Sequence, residues 1–139
     1  MSASTVTLVI PAKTEYLILA RLALAGIARE VRIDETALAD LKLAVTEACG
    51  NAIRHAHPSG QGVVSVRYAV EPGSIEIRVE DEGPGITSGA VPPEPSPDEL
   101  SEGGMGLAII DALVDELEIG ARAEAQGTLV LMRKRLLPA

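Results

Sequence analysis

The sequence is poor in aromatic residues and in cysteine. Its 139 residues include no Trp, no Phe, two Tyr and one Cys. Sites that stack nucleic-acid bases need aromatic rings, so this kind of site is nearly excluded, and the core is expected to be aliphatic. The single cysteine, Cys49, rules out an internal disulfide and is typical of a reducing compartment. We interpret it as a small packed residue, because nothing near it in the sequence would lower its pKa.

Positive charge and long apolar runs are also scarce. Twelve Lys and Arg face twenty Asp and Glu, which gives a net charge of −8 and disfavours nucleic acid and anionic membranes as partners. The longest apolar stretch, 17–28, is interrupted by Arg21 and is too short to span a bilayer. The N-terminus lacks the basic segment and apolar run of a signal peptide. We therefore expect a cytoplasmic protein.

Hydrophobic periodicity and turn residues divide the chain into helices and strands. Asp34 is a candidate N-cap for the second helix, because its side-chain oxygen can satisfy a free helix amide. Pro58 disfavours helical geometry in its neighbour and ends that helix. The pattern predicts strands at 5–10, 64–70, 75–79, 117–121 and 128–133, and helices at 14–29, 34–55 and 104–115.

The order of these elements predicts the fold class. Helices and strands come in blocks, which favours a single α+β domain over residues 1–139, a two-layer sandwich of a mixed sheet backed by about three helices. One long connection, at about 86–103, carries four prolines. So long an irregular loop in a compact domain is typical of a lid or a disordered insert, and we interpret it as a lid.

The second helix carries three polar residues on one face. Glu47, Asn51 and His55 are spaced at i, i+4 and i+8. A carboxylate and an amide oxygen one turn apart suit Mg²⁺, or a base beside it, although an exposed polar face is the more common meaning of such a pattern. Zinc is disfavoured, because His55 and His57 lack the i, i+4 spacing of a metalloprotease helix.

Two glycine-rich turns follow further along the chain. The first, D-E-G-P-G-I from Asp81, comes directly after a predicted strand, and its glycines let a ligand approach the backbone closely. The second, G-G-M-G-L, precedes the third helix and can offer free amides to an anion. It has no lysine, so it is not a Walker loop. Either turn alone is ambiguous.

Together, in this order and followed by a Gly-Thr strand, these elements resemble the GHKL ATP-binding fold, also called the Bergerat fold. The segments E-A-C-G-N-A-I-R-H-A-H and E-G-G-M-G-L-A-I-I-D-A-L-V-D-E-L are similar to those of bacterial anti-sigma-factor serine kinases. The resemblance covers about residues 5–135. It implies a homodimer that binds Mg-ATP, sequesters a sigma factor and phosphorylates a serine or threonine of an anti-anti-sigma antagonist of the STAS type.

The resemblance also implies roles for individual residues. Glu47 would be the general base, and Asn51 would hold Mg²⁺. Asp81 would accept from the adenine amino group with support from Thr128, and Arg21 would contact the sigma factor. The remaining cofactor-binding positions would be His55, Gly83, Gly85, Ile86, Gly104, Met105, Gly106 and Leu107.

One departure from the family pattern leaves alternatives open. Some relatives have an arginine just before the second glycine turn, where this chain has Glu102, and no Lys or Arg occurs between Arg78 and Arg122. An ATP-binding partner-switch module with little phosphotransfer is therefore the first alternative. The catalytic domain of a histidine kinase is the second, and it is weakened because no upstream helix offers a phospho-acceptor histidine.

Overall fold

A computed structural model describes residues 4–56, 62–81, 105–121 and 127–136 of the chain. A short 3-10 helix, Thr14–Tyr16, leads directly into the first α-helix. The predicted 86–103 lid lies outside the described residues. The elements in chain order are β1 (Ser4–Pro11), α1 (Leu17–Glu30), α2 (Glu35–Ala56), β2 (Val63–Glu71), β3 (Ser74–Asp81), α3 (Met105–Leu113), β4 (Glu116–Ala121) and β5 (Thr128–Arg135).

The strands form one five-stranded sheet in the order β1-β2-β3-β5-β4. Each of its four pairings is antiparallel. The α+β sandwich is thus confirmed, whereas the expectation of a mixed sheet is corrected. The reason is the position of β5: it runs between β3 and β4, which point the same way, so these two strands never share hydrogen bonds.

Helix α2 is the centre of the helical layer. It contacts α1 on one side, α3 on another, and the sheet beneath it. Its buried stripe includes Leu41, Val45 and Ala48, which belong to the same core cluster as Val66 and Ile77 of the sheet. The core is mainly aliphatic, as expected, but it also contains Tyr68, which is fully buried and whose hydroxyl donates to the Ala20 carbonyl at 2.7 Å.

The predicted element boundaries hold to within a few residues. Asp34 caps α2 as expected, since its Oδ1 accepts from the Ala37 amide at 2.7 Å. The first predicted helix starts instead as a 3-10 turn, and the α-helix begins at Leu17. Helix α3 stops at Leu113 rather than 115, because the Asp115 amide already bonds to the Arg133 carbonyl and starts the approach to β4.

The sheet has one buried and one wet face. In the β2–β3 hairpin, alternate residues such as Val64, Val66, Ile77 and Val79 are buried beneath the helices. The intervening charged residues lie on the other face, as the alternation predicted. Among the described helices, none combines the length and the apolar character needed to cross a membrane.

Candidate functional site

Glu47 and Asn51 lie half-buried on α2 and meet the start of α3. The contact is made at Gly106. A Cβ added there would lie 3.0 Å from Glu47 Oε2, 3.1 Å from Asn51 Nδ2 and 3.3 Å from Asn51 Oδ1. These distances are shorter than ordinary van der Waals contact, so the two side chains occupy space that only glycine leaves free.

This contact joins two motifs that are far apart in the chain. The E-x-x-x-N pair of α2 meets Gly106 of the second glycine motif, with a carboxylate, an amide and the N-terminal end of a helix side by side. Helix N-termini present unpaired amides and the positive end of the helix dipole to anions. The arrangement can therefore place an anionic group between backbone amides and a carboxylate base.

Asp81 and Thr128 form a second contact at the site. Asp81, the last residue of β3, is 7% exposed, and its Oδ1 accepts from the backbone amide of Thr128 at 3.2 Å. Thr128 begins β5, the neighbouring strand. The structure thus brings together the two residues that were expected to share the adenine end, and the amide of Thr128 holds the carboxylate in place.

The structure describes the other predicted site residues only in part. Gly83, Gly85, Ile86 and Gly104 lie outside the described residues. His55 belongs to α2 and Met105 to α3, but their side chains lie outside the described part. Leu107 and Arg21 are both exposed, the first beside Gly106 and the second on α1.

Arg54 is a neighbour of the site that the sequence reasoning missed. Its Nη2 donates to Asn51 Oδ1 at 2.7 Å. Its Nη1 lies 3.4 Å from the position of a Cβ at Gly50. The available signal was the i, i+3 spacing from Asn51, which places two side chains on neighbouring positions of one helix face.

Cys49 lies on α2 but is not part of the site surface. It is fully buried, and burial raises the pKa of its thiol to about 12. A thiol with so high a pKa is neither a nucleophile nor a metal ligand near neutral pH. The interpretation of Cys49 as a packed residue is confirmed.

The donor set fits a magnesium nucleotide. The side-chain atoms nearest to Gly106 are Glu47 Oε2, Asn51 Nδ2 and Asn51 Oδ1. The two oxygens among them are of the kind that hard cations such as Mg²⁺ prefer. A phosphate is bound well by the free backbone amides at a helix N-terminus, and α3 begins beside these oxygens at Met105 and Gly106. Both requirements are met by residues of this chain.

Comparison with known proteins agrees with this fold and site. The model of the histidine kinase-like ATPase domain family matches residues 10–134. The described part of the chain has the helix-backed sheet, the polar pair on α2 and the glycine at the start of α3 that the resemblance implied. The chain therefore belongs to the histidine kinase-like ATPase family.

Individual relatives narrow the assignment. The serine-protein kinase RsbW of Bacillus licheniformis is 41% identical over 117 residues, covering 78% of this chain and 73% of the relative. That of Bacillus subtilis is 35% identical over 143 aligned positions, covering 97% and 88%. Within the ATPase family, the chain thus belongs to the serine-protein kinases of the RsbW group.

A solved structure supports the fold independently. The crystal structure of the RsbU and RsbW domains of a Mycobacterium tuberculosis protein matches with a TM-score of 0.71 and 24% identity. The match covers 98% of this chain and 34% of the other, so the chain spans about a third of that structure. This likeness concerns the architecture of the domain.

Proposed function

We propose that this chain binds Mg-ATP between α2 and the start of α3 and transfers its terminal phosphoryl group to a serine or threonine of a partner protein. The observation that carries the proposal is the contact of Gly106 with Glu47 and Asn51. It supports a site in which Glu47 would be the base, Asn51 the cation ligand and the start of α3 the phosphate-binding end. Phosphoryl transfer depends mainly on such positioning and on charge neutralisation.

Glu47 is the general base of this proposal. Its carboxylate takes the proton of the incoming hydroxyl while that oxygen forms a bond to the terminal phosphorus. The bond between this phosphorus and the bridging oxygen breaks, and ADP leaves with the electron pair. Among the described residues, the Glu47 carboxylate makes no hydrogen bond or ion pair, so it has no competing partner there.

Asn51 and the two glycine turns hold the nucleotide in this proposal. Asn51 would bind Mg²⁺ through Oδ1, and Mg²⁺ when bound neutralises charge on the phosphates. The amides around Gly106 would face the phosphates, together with those of Gly104 and Met105. Asp81 would accept from the adenine amino group, in the orientation that the Thr128 amide imposes.

The partners follow from the family resemblance and from the surface of α1. Arg21 lies on that helix together with Ile18 and Leu22, which are each 57% exposed. An exposed apolar strip with a cation in it suits a protein partner, and we propose a sigma factor there. The phosphorylated partner would be an anti-anti-sigma antagonist of the STAS type. We further propose that the chain forms a homodimer and acts in the cytoplasm.

The test is phosphotransfer with labelled ATP, Mg²⁺ and candidate antagonist proteins. Glu47→Gln is expected to lower transfer by about 10²–10⁴-fold, the usual contribution of a general base, while ATP affinity stays within about threefold. Glu30→Gln, an exposed glutamate at the end of α1, is the matched control and should transfer label like the wild type.

Three results would contradict the proposal in different ways. ATP binding without transfer to any cognate partner would favour the partner-switch module, which the lack of a cation between Arg78 and Arg122 also favours. Undiminished transfer in Glu47→Gln would show that another group accepts the proton. A wild-type protein that fails to bind adenine nucleotides would refute the site altogether.

A further inference from the structure

Lys134 is a charged residue on the buried side of the sheet. It lies in β5, with the buried residues Met132 and Leu136 two positions to either side, and in register with the buried Ile75 of β3. Alternate residues of a strand point to the same face, so the Lys134 side chain points toward the helices, and it is only 16% exposed. Lysine is almost never buried without partners. Its ammonium group must therefore be stabilised by contacts on this side.

Two contacts stabilise this ammonium group. Lys134 Nζ donates to the carbonyl of Leu113 at 2.6 Å and lies 3.4 Å from Asp40 Oδ2. Leu113 is the last residue of α3, and Asp40 belongs to α2. The final carbonyls of a helix have no partner within the helix, and they carry the negative end of its dipole. A single lysine thus joins β5, the C-terminal end of α3 and α2.

One side of α2 is connected to α3 at both ends of α3. Asp40 and Asn51 are separated by about three helical turns, so their side chains project from the same side of α2. Asn51 lies beside Gly106 at the start of α3, within 3.1–3.3 Å of the Cβ position there. Helix α3 is therefore held against α2 at its start by the contact at Gly106, and at its end through Lys134 and Asp40.

Helix α3 is short enough for its end to influence its start. It has nine residues, and Gly106 and Leu113 are about 10 Å apart along its axis. A stiff helix of this length that tilts or slides at Leu113 also changes position at Gly106. The Cβ position of Gly106 is already within 3.0–3.3 Å of Glu47 and Asn51, so a small shift alters these contacts. In a catalytic site, a misplacement of about 1 Å can cost about 10²-fold in rate.

We propose that Lys134 is a positioning residue for the nucleotide site. It fixes the C-terminal end of α3 to Asp40 of α2. This attachment keeps the start of α3 against Glu47 and Asn51, where the phosphates are proposed to bind. Lys134 acts from the far end of α3, without contact to the nucleotide. This inference rests on the proposed function and adds to it a residue that acts through the placement of a helix.

The test measures Mg-ATP binding by calorimetry in the full chain. Lys134→Met keeps an unbranched side chain but removes the ammonium group, and ATP affinity should fall by about fivefold or more, the lower end of the usual coupling between separate sites. Lys134→Arg can donate to the same oxygens and should retain most of the affinity. Arg135→Met removes the same charge from the next residue, whose side chain is exposed, and should bind ATP like the wild type.

A double variant separates positioning from a general loss of stability. Substitutions at distant, independent positions have additive effects, whereas those that act on one shared contact do not. If Lys134 acts through the placement of α3, Lys134→Met should weaken ATP binding less in a Gly106→Ala background than in the wild type. Urea unfolding measures the stability of every variant. Glu76→Gln, which loses a charge pair on the opposite face of the sheet, is a destabilised control that should keep its ATP affinity.

Unchanged ATP affinity in Lys134→Met would overturn the inference, and so would losses in Lys134→Met and Gly106→Ala that simply add. If Lys134→Met does not fold, Asp40→Ala supplies the same test, because Asp40 is 32% exposed and its removal detaches Lys134 from α2. Wild-type affinity in Asp40→Ala would then refute the role of Lys134. Failure of the proposed function would look different, because it would appear in the wild-type chain as an absence of adenine-nucleotide binding.

Discussion

At the scale of single residues, the site depends on the absence of a side chain at position 106, which is a glycine. Gly106 allows α3 to start against Glu47 and Asn51, with both side chains within 3.0–3.3 Å of its Cβ position. The backbone of Gly106 does not have a positive φ, so its conformation is open to other residues. Space, rather than backbone geometry, is what favours glycine here.

Gly106→Ala should therefore impair the site without unfolding the protein. The new methyl group would displace the Glu47 carboxylate or the Asn51 amide by a few tenths of an ångström. Overpacking of this kind costs about 1–3 kcal/mol of folding stability. ATP affinity should fall as well, because the displaced groups are the proposed ligands of the nucleotide. ATP titration and phosphotransfer assays measure the loss.

Gly26→Ala is the matched control for this substitution. Gly26 lies in the middle of α1, and a Cβ there would meet nothing within 4 Å. We expect it to raise the free energy of unfolding by about 0.5–1 kcal/mol, because alanine is the better helix former, and to leave ATP affinity unchanged. Normal ATP binding by Gly106→Ala would show that the contact has no part in the site.

Cys49 provides a second prediction at this scale. Because the thiol is buried and its pKa is raised to about 12, the folded protein should not react with a thiol reagent such as DTNB at pH 8. Labelling should appear only with unfolding, so its rate should follow the urea unfolding curve. Rapid stoichiometric labelling in native buffer would contradict the burial of Cys49.

At the scale of secondary structure, α2 is the element on which the site depends. It starts at the Asp34 cap, crosses the sheet with a buried stripe, and carries Glu47 and Asn51 on the side that meets α3. Its burial between α1, α3 and the sheet fixes its orientation more strongly than helix propensity alone would. The position of the site is therefore set by packing over the length of this helix.

Asp34→Ala tests the start of α2. Loss of the bond from the Ala37 amide to Asp34 Oδ1 should lower the free energy of unfolding by about 1 kcal/mol, measured by urea denaturation. Asp34→Asn can make the same cap and should retain nearly full stability. The cap lies at the opposite end of α2 from Asn51, so ATP affinity should be unaffected, and a parallel loss of affinity would mean that the two ends are coupled.

At the scale of the whole molecule, the open face of the sheet is held by charge pairs between strands. Glu76 of β3 is bonded to Arg133 of β5 at 2.6 Å and to Arg78 at 3.1 Å, and Arg133 also pairs with Glu116 of β4. The hydrogen bond from Arg133, assisted by Arg78, holds the pKa of Glu76 below its ordinary value of 4.5. This network ties β3, β4 and β5 together on the side opposite to the helices.

The lowered pKa predicts how stability depends on pH. A carboxylate with a depressed pKa stabilises the fold above its unfolded pKa, and that contribution is lost as pH falls through the folded pKa. Glu76→Gln should thus have a lower urea midpoint than the wild type at pH 7, and the difference should shrink below about pH 4.5. A difference that stays constant down to pH 3 would show that packing, not charge, is responsible.

Glu118→Gln is the comparison for this pH series. Glu118 lies exposed on β4, the strand at the edge of the sheet, and forms no ion pair within the described residues. Its substitution should change the urea midpoint little at any pH. Surface charges without a defined partner contribute little to stability.

The sequence alone determined the secondary structure elements and their buried faces. It could do so because these features depend on interactions between residues that are close together in the chain. The alternation of Val64, Val66 and Ile77, and the cap at Asp34, depend on neighbours within a few residues, so the hairpin, the helix and their buried faces were predictable. The motifs of the site could also be recognised, because their order along the chain is itself distinctive.

The tertiary structure alone decided which residues touch. The bond between Asp81 and Thr128 joins residues 47 positions apart, and the contact of Gly106 with Glu47 and Asn51 depends on how α3 packs on α2. The antiparallel sheet likewise follows from the insertion of β5 between β3 and β4. Such contacts result from packing elements that are distant in sequence, and periodicity carries no information about them, since it reports only which face of each element is buried.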